Sequence, residues 1–237
     1  MERKNTGRAG IVRRAYVKSI PVMAGYVVLG IGFGILLRGA GYGAIWAFAM
    51  SALIYAGSMQ FVGVSLLAGG ASILTTLLTT LMVNARHLFY SISMIDRYQD
   101  SGRYKPYLIF ALTAETYWLL SDGEAPEESP DLYRFLVSLF DQCYWVTGSM
   151  IGNLLGAVLP FSTTGIEFSM TALFIASFTQ QWITTRNHIP ALTGLLSTLA
   201  CLLIFGSGSF LIPAMLLITA VLTLLRPRLD GGREASK

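Results

Sequence analysis

The chain has 237 residues, 54% of them hydrophobic and only 13% charged, with a formal net charge of +4. Soluble domains carry about 25% charged residues. A deficit of this size, with long uncharged runs and a mean hydropathy of +0.59, excludes an ordinary soluble domain and predicts an all-α integral membrane protein.

Nucleic acid is not an expected partner, because no basic stripe with interleaved aromatics is present. Cys143 and Cys201 stand alone, outside any CxxC pair, and read as small packing residues rather than a disulfide framework or zinc site. His87 and His188 are far apart in the chain, so no metal or cofactor is expected.

In chain order, residues 1–19 form a basic flank holding Arg13, Arg14 and Lys18, which reads as a cytoplasmic orientation signal. The apolar run Ile20–Leu37 reaches spanning length and reads as a retained first helix rather than a signal peptide. Its Gly30 and Gly34 form a GxxxG pair, which lets another helix backbone approach closely. Ile45–Ala68 follows, with Tyr55, Gly57, Ser58 and Gln60 clustered in its middle. Ser72–Val83 carries Thr75, Thr76, Thr79 and Thr80 on one face. Such hydroxyls either bond back to their own helix or line a path. Asn84, Arg86 and His87 come next, then a polar loop with Arg97, Arg103 and Lys105.

Pro106–Leu120 is a short apolar segment interrupted by Thr113, Glu115 and Thr116. Asp122–Asp131, within a linker spanning residues 122–134, holds five acids and no base. Phe135–Leu159 carries Gly148, Gly152 and Gly156 as a doubled GxxxG. Phe168–Ile183 contains Gln180 and Gln181. Ala191–Phe205 and Phe210–Leu225 complete a membrane domain over residues 20–226, followed by a basic cytoplasmic tail, 227–237.

An internal repeat is visible. Met50–Gln60 matches Met170–Gln180 at an offset of 120, and Leu74–Leu81 matches Leu192–Leu199 at an offset of 118. The repeats would cover residues 20–121 and 135–226. Cytoplasmic loops collect Lys and Arg. All three basic segments fall inside, and the acidic loop outside, if Ile45–Ala68 enters and returns on one side. Treating Phe168–Ile183 likewise predicts an inverted pair of repeats with about six full spans and two re-entrant or broken helices. The alternative is seven or eight ordinary transmembrane helices.

Broken helices expose backbone groups, tolerated at membrane depth only where protein or water satisfies them. Tyr55, Gly57, Ser58 and Gln60, with Gln180 and Gln181, are therefore candidate substrate contacts; the competing reading is helix packing. Arg86, beside Asn84, offers a bidentate fork for a carboxylate, or else snorkels to the headgroups. His87 and Glu115 are candidates for carrying a coupled proton.

The run AGSMQFVGVSLLAGG, then LMVNARHLFYSISM and ALTAETYWLL, resembles the large subunit of the AzlC-type branched-chain amino acid exporters. The likeness covers roughly Ile20 to Arg226. It implies a multi-pass permease of the bacterial cytoplasmic membrane, not an enzyme, exporting leucine, isoleucine and valine, and in some members methionine. It also implies a small hydrophobic partner of the AzlD type. One departure is Ala114, where family members often carry Asp. Export of another small metabolite, and a non-transporting assembly subunit, are the competing functions.

Overall fold

The computed structural model describes residues 7–158 other than 85, 122–124 and 127, and beyond them residues 168, 171, 175, 178, 179, 182, 183, 187–206 and 210–234. Among the described residues all regular structure is helical. The chain forms two compact units, Met1–Thr171 and Ala172–Lys237. In the second, α9 (Ile189–Phe205) packs against α10 (Leu211–Glu234).

The first unit is built on α1 (Arg8–Gly39) and α8 (Pro130–Val158). Helix α1 begins well before the apolar run at Ile20. Its arginines lie on the exposed side, while Ile11, Ala15 and Ser19 continue the buried stripe at helical spacing. Four glycines form the seam with α8. A Cβ on Gly30 would meet the Ser149 amide at 2.9 Å, and one on Gly148 would meet the Val27 carbonyl at 2.6 Å. Gly34 and Gly152 leave no room at all against Ser149 and Ile31. The paired GxxxG motifs thus face each other, letting the two backbones touch.

The pairing advances in step along both helices. Tyr16 packs edge-on against Phe140, Ser19 Oγ bonds Tyr144 Oη at 3.0 Å, Tyr26 packs on Trp145, and Asn153 Nδ2 donates to the Gly34 carbonyl at 3.3 Å. Helices α1 and α8 therefore run parallel. Gly30 lies against Trp145 and Gly148 against Val27, two contacts that map onto each other at an offset of 118. A local two-fold axis along the helices relates them. An inverted pair of repeats would make these leading helices antiparallel, so the inversion expected from loop charge is corrected.

Two helical hairpins enter this frame from opposite ends. The first is α2 (Ala44–Ala49), a π-helical turn (Met50–Ile54) and α3 (Gly57–Ala68). It starts beside the C-terminal end of α8, where Asn153 Nδ2 donates to the Tyr42 carbonyl at 3.0 Å. It then descends until the Ala52 carbonyl accepts from Gln142 Nε2 at 3.0 Å. There it reverses: Gln60 Nε2 donates back to Ser51 Oγ, Gly63 lies over Met50, and Phe61 returns to Phe33. The segment Ile45–Ala68 enters and returns.

Next, α4 (Ile73–Asn84) and α5 (Arg86–Tyr98) lead to the other end. On α4, Thr76 and Thr80 donate to the carbonyls of Ser72 and Thr76, so these hydroxyls serve their own helix. A 3₁₀ turn (Gly102–Tyr104) opens the second hairpin, α6 (Lys105–Phe110) and α7 (Ala114–Ser121). Tyr107 reaches Gln142, and Thr116 reaches Asp141. Arg97 Nη1 then donates to the Leu120 carbonyl at 2.5 Å, and Arg134 Nη1 to the Arg97 carbonyl at 3.0 Å. The chain is back where it entered. Pro106–Leu120, which has to cross if the basic and acidic loops lie on opposite faces, turns back instead, because the helix stops at Phe110 and restarts at Ala114.

The outer faces are apolar. Ile73 is 88% exposed and Val158 80%. Water would not tolerate such a surface on this scale, whereas lipid matches it. By length and composition alone α1 can cross a membrane, and the hairpin halves are shorter, as segments that turn back must be.

Candidate functional site

The hairpin tips meet between α1 and α8. At the first tip Tyr55 sits at φ 46°, ψ 45°, in the left-handed region. A residue with a Cβ pays about 1–2 kcal/mol there. Its N–H closes the π turn on the Met50 carbonyl at 3.2 Å, and the α3 ladder opens with Gln60 N–H on the Ala56 carbonyl at 2.8 Å. Ala56 has no side chain with which to cap α3. The first-turn N–H groups lie outside the helix ladder and present partial positive charge.

Gln60 fastens this tip. Its side chain is wholly buried, accepts from Trp145 Nε1 at 2.9 Å and donates to Ser51 at 3.2 Å. The Trp145 ring fills the space above Gly57, packs edge-on to Tyr26 and stacks on Phe33. Ser58 is buried in the same turn.

At the second tip Thr113 Oγ1 caps α7 by accepting from the Thr116 N–H at 3.2 Å. Phe110 approaches the Tyr55 ring at 6.2 Å. Tyr26 Oη lies 2.7 Å from Thr113 Oγ1 and donates to Glu115 Oε2 at 2.9 Å. Thr116 Oγ1 donates to Asp141 Oδ2 at 2.8 Å. Asp141 is wholly buried, and among the described residues neither its Oδ1 nor the buried Tyr55 hydroxyl has a hydrogen-bond partner. Burying polar groups unpaired is costly, which singles these two out.

Tyr55, Gly57, Ser58, Gln60 and Glu115, marked by the sequence, thus share one site. Asn84 and His87 lie on the α4–α5 segment, with His87 Nδ1 donating to the Asn84 carbonyl at 3.1 Å. His87 packs edge-on to Tyr90, and Tyr90 stacks on Tyr117 of α7. Arg86 opens α5, but its side chain lies outside the description, as do Gln180 and Gln181. Sequence reasoning missed Tyr26, Asp141 and Trp145. Asp141 is an acid inside an apolar run, the same signal that marked Glu115.

A cavity of about 370 Å³ lies between α5 and α6, lined by Met94, Ile95, Ile109 and Leu112, with Gln99 and Lys105 at its polar end. Leu112 belongs to the second tip, so the cavity leads toward the site.

These features define an α-helical membrane protein in which two re-entrant hairpins close on a buried carboxyl. Residues 21–159 match the family model described as AzlC protein. The chain is 44% identical over 219 residues to the branched-chain amino acid transport protein AzlC of Bacillus subtilis, covering 92% of this chain and 86% of that one. It is 40% identical over 221 residues to a membrane protein of Haemophilus influenzae, covering 92% and 91%. It is 27% identical over 190 residues to the inner membrane protein YgaZ of Escherichia coli, covering 74% and 78%. The chain belongs to the AzlC family of membrane transport proteins. No solved structure matches it.

Proposed function

We propose that this protein is a secondary transporter that exports branched-chain amino acids, leucine, isoleucine and valine, across the bacterial cytoplasmic membrane. A small AzlD-type subunit is its partner, and both termini are cytoplasmic. The observation that carries this reading is the meeting of two hairpin tips, from opposite ends, around the unpartnered polar atoms of Tyr55 and Asp141. A site reached from both ends of the frame is what alternating access needs. The name of the Bacillus subtilis relative supplies the substrate class.

In this reading the substrate carboxylate lies against the first turn of α3, at Gly57 and Ser58, where helix N–H groups favour an anion. Tyr55 and Gln60 shape that turn. Asn84, Arg86, Gln180 and Gln181 are further proposed substrate contacts. The branched side chain follows the apolar lining of the α5–α6 cavity. Glu115 and His87 handle the proton.

The test is efflux. Cells loaded with leucine-containing dipeptides should release leucine faster when this chain and its small partner are both expressed. Equal release with and without the pair rejects the proposal.

A further inference from the structure

We propose that Asp141 and Glu115 share one proton through a relay of three hydroxyls, and that this relay makes a proton the coupling ion. The second half rests on the transport reading above; the relay itself does not.

The relay is continuous. From Asp141 Oδ2 it passes to Thr116 Oγ1 at 2.8 Å, Thr113 Oγ1 at 3.1 Å, Tyr26 Oη at 2.7 Å and Glu115 Oε2 at 2.9 Å. Thr116 is wholly buried, with Thr113 and Tyr26 nearly so, while Glu115 is half-buried. The wire joins an interior acid to one nearer the surface of the unit.

Counting protons decides what the wire does. Ionised carboxylates only accept, and each hydroxyl donates once. Three hydroxyls therefore supply three protons for four links, so one link is unmade when both acids are ionised. A fourth proton completes the set. Placed on Asp141, it lets Asp141 donate to Thr116, Thr116 to Thr113, Thr113 to Tyr26 and Tyr26 to Glu115. Placed on Glu115, every donation runs the other way. Moving the proton from Asp141 to Glu115 breaks one O–H bond at Asp141 and at each hydroxyl, forms one at each hydroxyl and at Glu115, and leaves all four links made. Nothing is oxidised or reduced.

Among the described residues, the titratable groups facing Asp141 do not relieve it. They are Tyr26 of α1, Tyr55 at the first tip, Tyr107 of α6, Glu115 of α7, and Tyr144 of its own helix, none of them cationic. Asp141 makes no salt bridge among the described residues. A buried carboxylate without a counter-charge costs several kcal/mol. Two visitors remove that cost: the shared proton, or an ammonium group at the unpartnered Oδ1. Arrival of the substrate ammonium at Oδ1 drives the proton to Glu115 and out; departure draws it back. Proton and amino acid thus occupy the site in turn, which is antiport.

Infrared pH-difference spectra of the full-length protein in lipid test the relay. The carboxyl C=O band removed by Asp141→Asn reports the proton on Asp141. Glu115→Gln should change the proton affinity read from that band about tenfold or more, one pK unit marking a coupled pair. In a Thr116→Val background, where the wire is cut, the same change should have little effect. Tyr26→Phe cuts a different link and should act like Thr116→Val, which covers failure of either variant to insert. An equal Glu115→Gln effect with the wire cut and intact, or no titrating Asp141 band, overturns the proposal.

In liposomes, leucine uptake driven by a pH gradient, divided by leucine–leucine exchange in the same vesicles, should fall at least about tenfold in Thr116→Val, the size of the coupling expected above. An unchanged ratio overturns the coupling. Absence of any leucine exchange in the unmodified protein rejects the substrate reading instead, and the infrared result still decides the relay.

Discussion

Ser101 Oγ donates to Asp131 Oδ1 at 2.7 Å, so the basic loop after α5 and the acidic linker before α8 lie at the same end of the first unit. Arg134 joins them by pairing with Asp131 at 2.9 Å while donating to the Arg97 carbonyl. Loop charge alone puts these segments on opposite faces, because it assumes that Pro106–Leu120 crosses. The positive-inside bias is a statistical force on insertion and does not sense a hairpin. Single cysteines at Gln99, which is exposed, and Ser129, which is partly exposed, should therefore react with an impermeant reagent from the same side of the membrane. Labelling from opposite sides would reject the α6–α7 hairpin.

The glycine seam makes a prediction with its own control. Gly152→Ala drives a methyl group into the Ile31 backbone, which cannot move aside. Overpacking of this kind costs about 1–3 kcal/mol. Gly25 lies on the same α1 but with nothing within 4 Å of its would-be Cβ. Thermal unfolding of the solubilised protein should show a clear loss of stability for Gly152→Ala and none for Gly25→Ala. Equal behaviour of the two variants would mean that α1 and α8 are not packed backbone to backbone.

Legibility followed the number of uses a residue pattern has. A GxxxG pair has essentially one use in an apolar helix, so Gly30, Gly34, Gly148 and Gly152 were readable before any partner was known. The break at Tyr55 was readable too, since small and polar residues interrupt an apolar run there. The break at Leu112–Thr113 has no Gly or Pro to announce it, and apolar residues continue on both sides. Asp141 was hidden in the same way. Yet it lies four residues before Trp145 and seven before Gly148, on the stripe that packs inward. Helical periodicity applied to the glycines would have placed this acid inside the fold. Direction is the remaining gap: periodicity shows which face is buried, not whether two repeats run parallel.

Gln60 and Trp145 supply a third test. Their hydrogen bond ties the first tip to α8, and Gln60 also holds Ser51, so both ends of the amide are committed. Trp145→Phe keeps most of the ring and drops the donor. Gln60→Leu keeps volume and orphans both neighbours. Each should cost about 1–3 kcal/mol, the penalty for a buried polar group left unmade. The double variant should cost less than the sum of the singles by about 0.5–3 kcal/mol, because the shared bond is lost once. Strict additivity in denaturant or thermal unfolding would show that the bond does not hold the tip.

Gly57 separates substrate geometry from packing. Its would-be Cβ lies 3.1 Å from the Trp145 ring, close enough that the ring must shift, whereas Gly63 on the same helix would meet the end of the Met50 side chain at an ordinary 3.7 Å. Both positions are helical, where Ala is favoured over Gly by about 1 kcal/mol. Gly63→Ala should therefore be neutral or slightly stabilising and leave transport unchanged. Gly57→Ala gains the same helical preference but pushes Trp145 over the uncapped first turn of α3, where the substrate carboxylate is proposed to lie. Its KM for leucine should rise several-fold while the folded yield stays close to that of Gly63→Ala. A KM equal to that of the unmodified protein would remove the α3 first turn from the substrate site. A loss of folded protein confined to Gly57→Ala would instead make the contact with Trp145 structural.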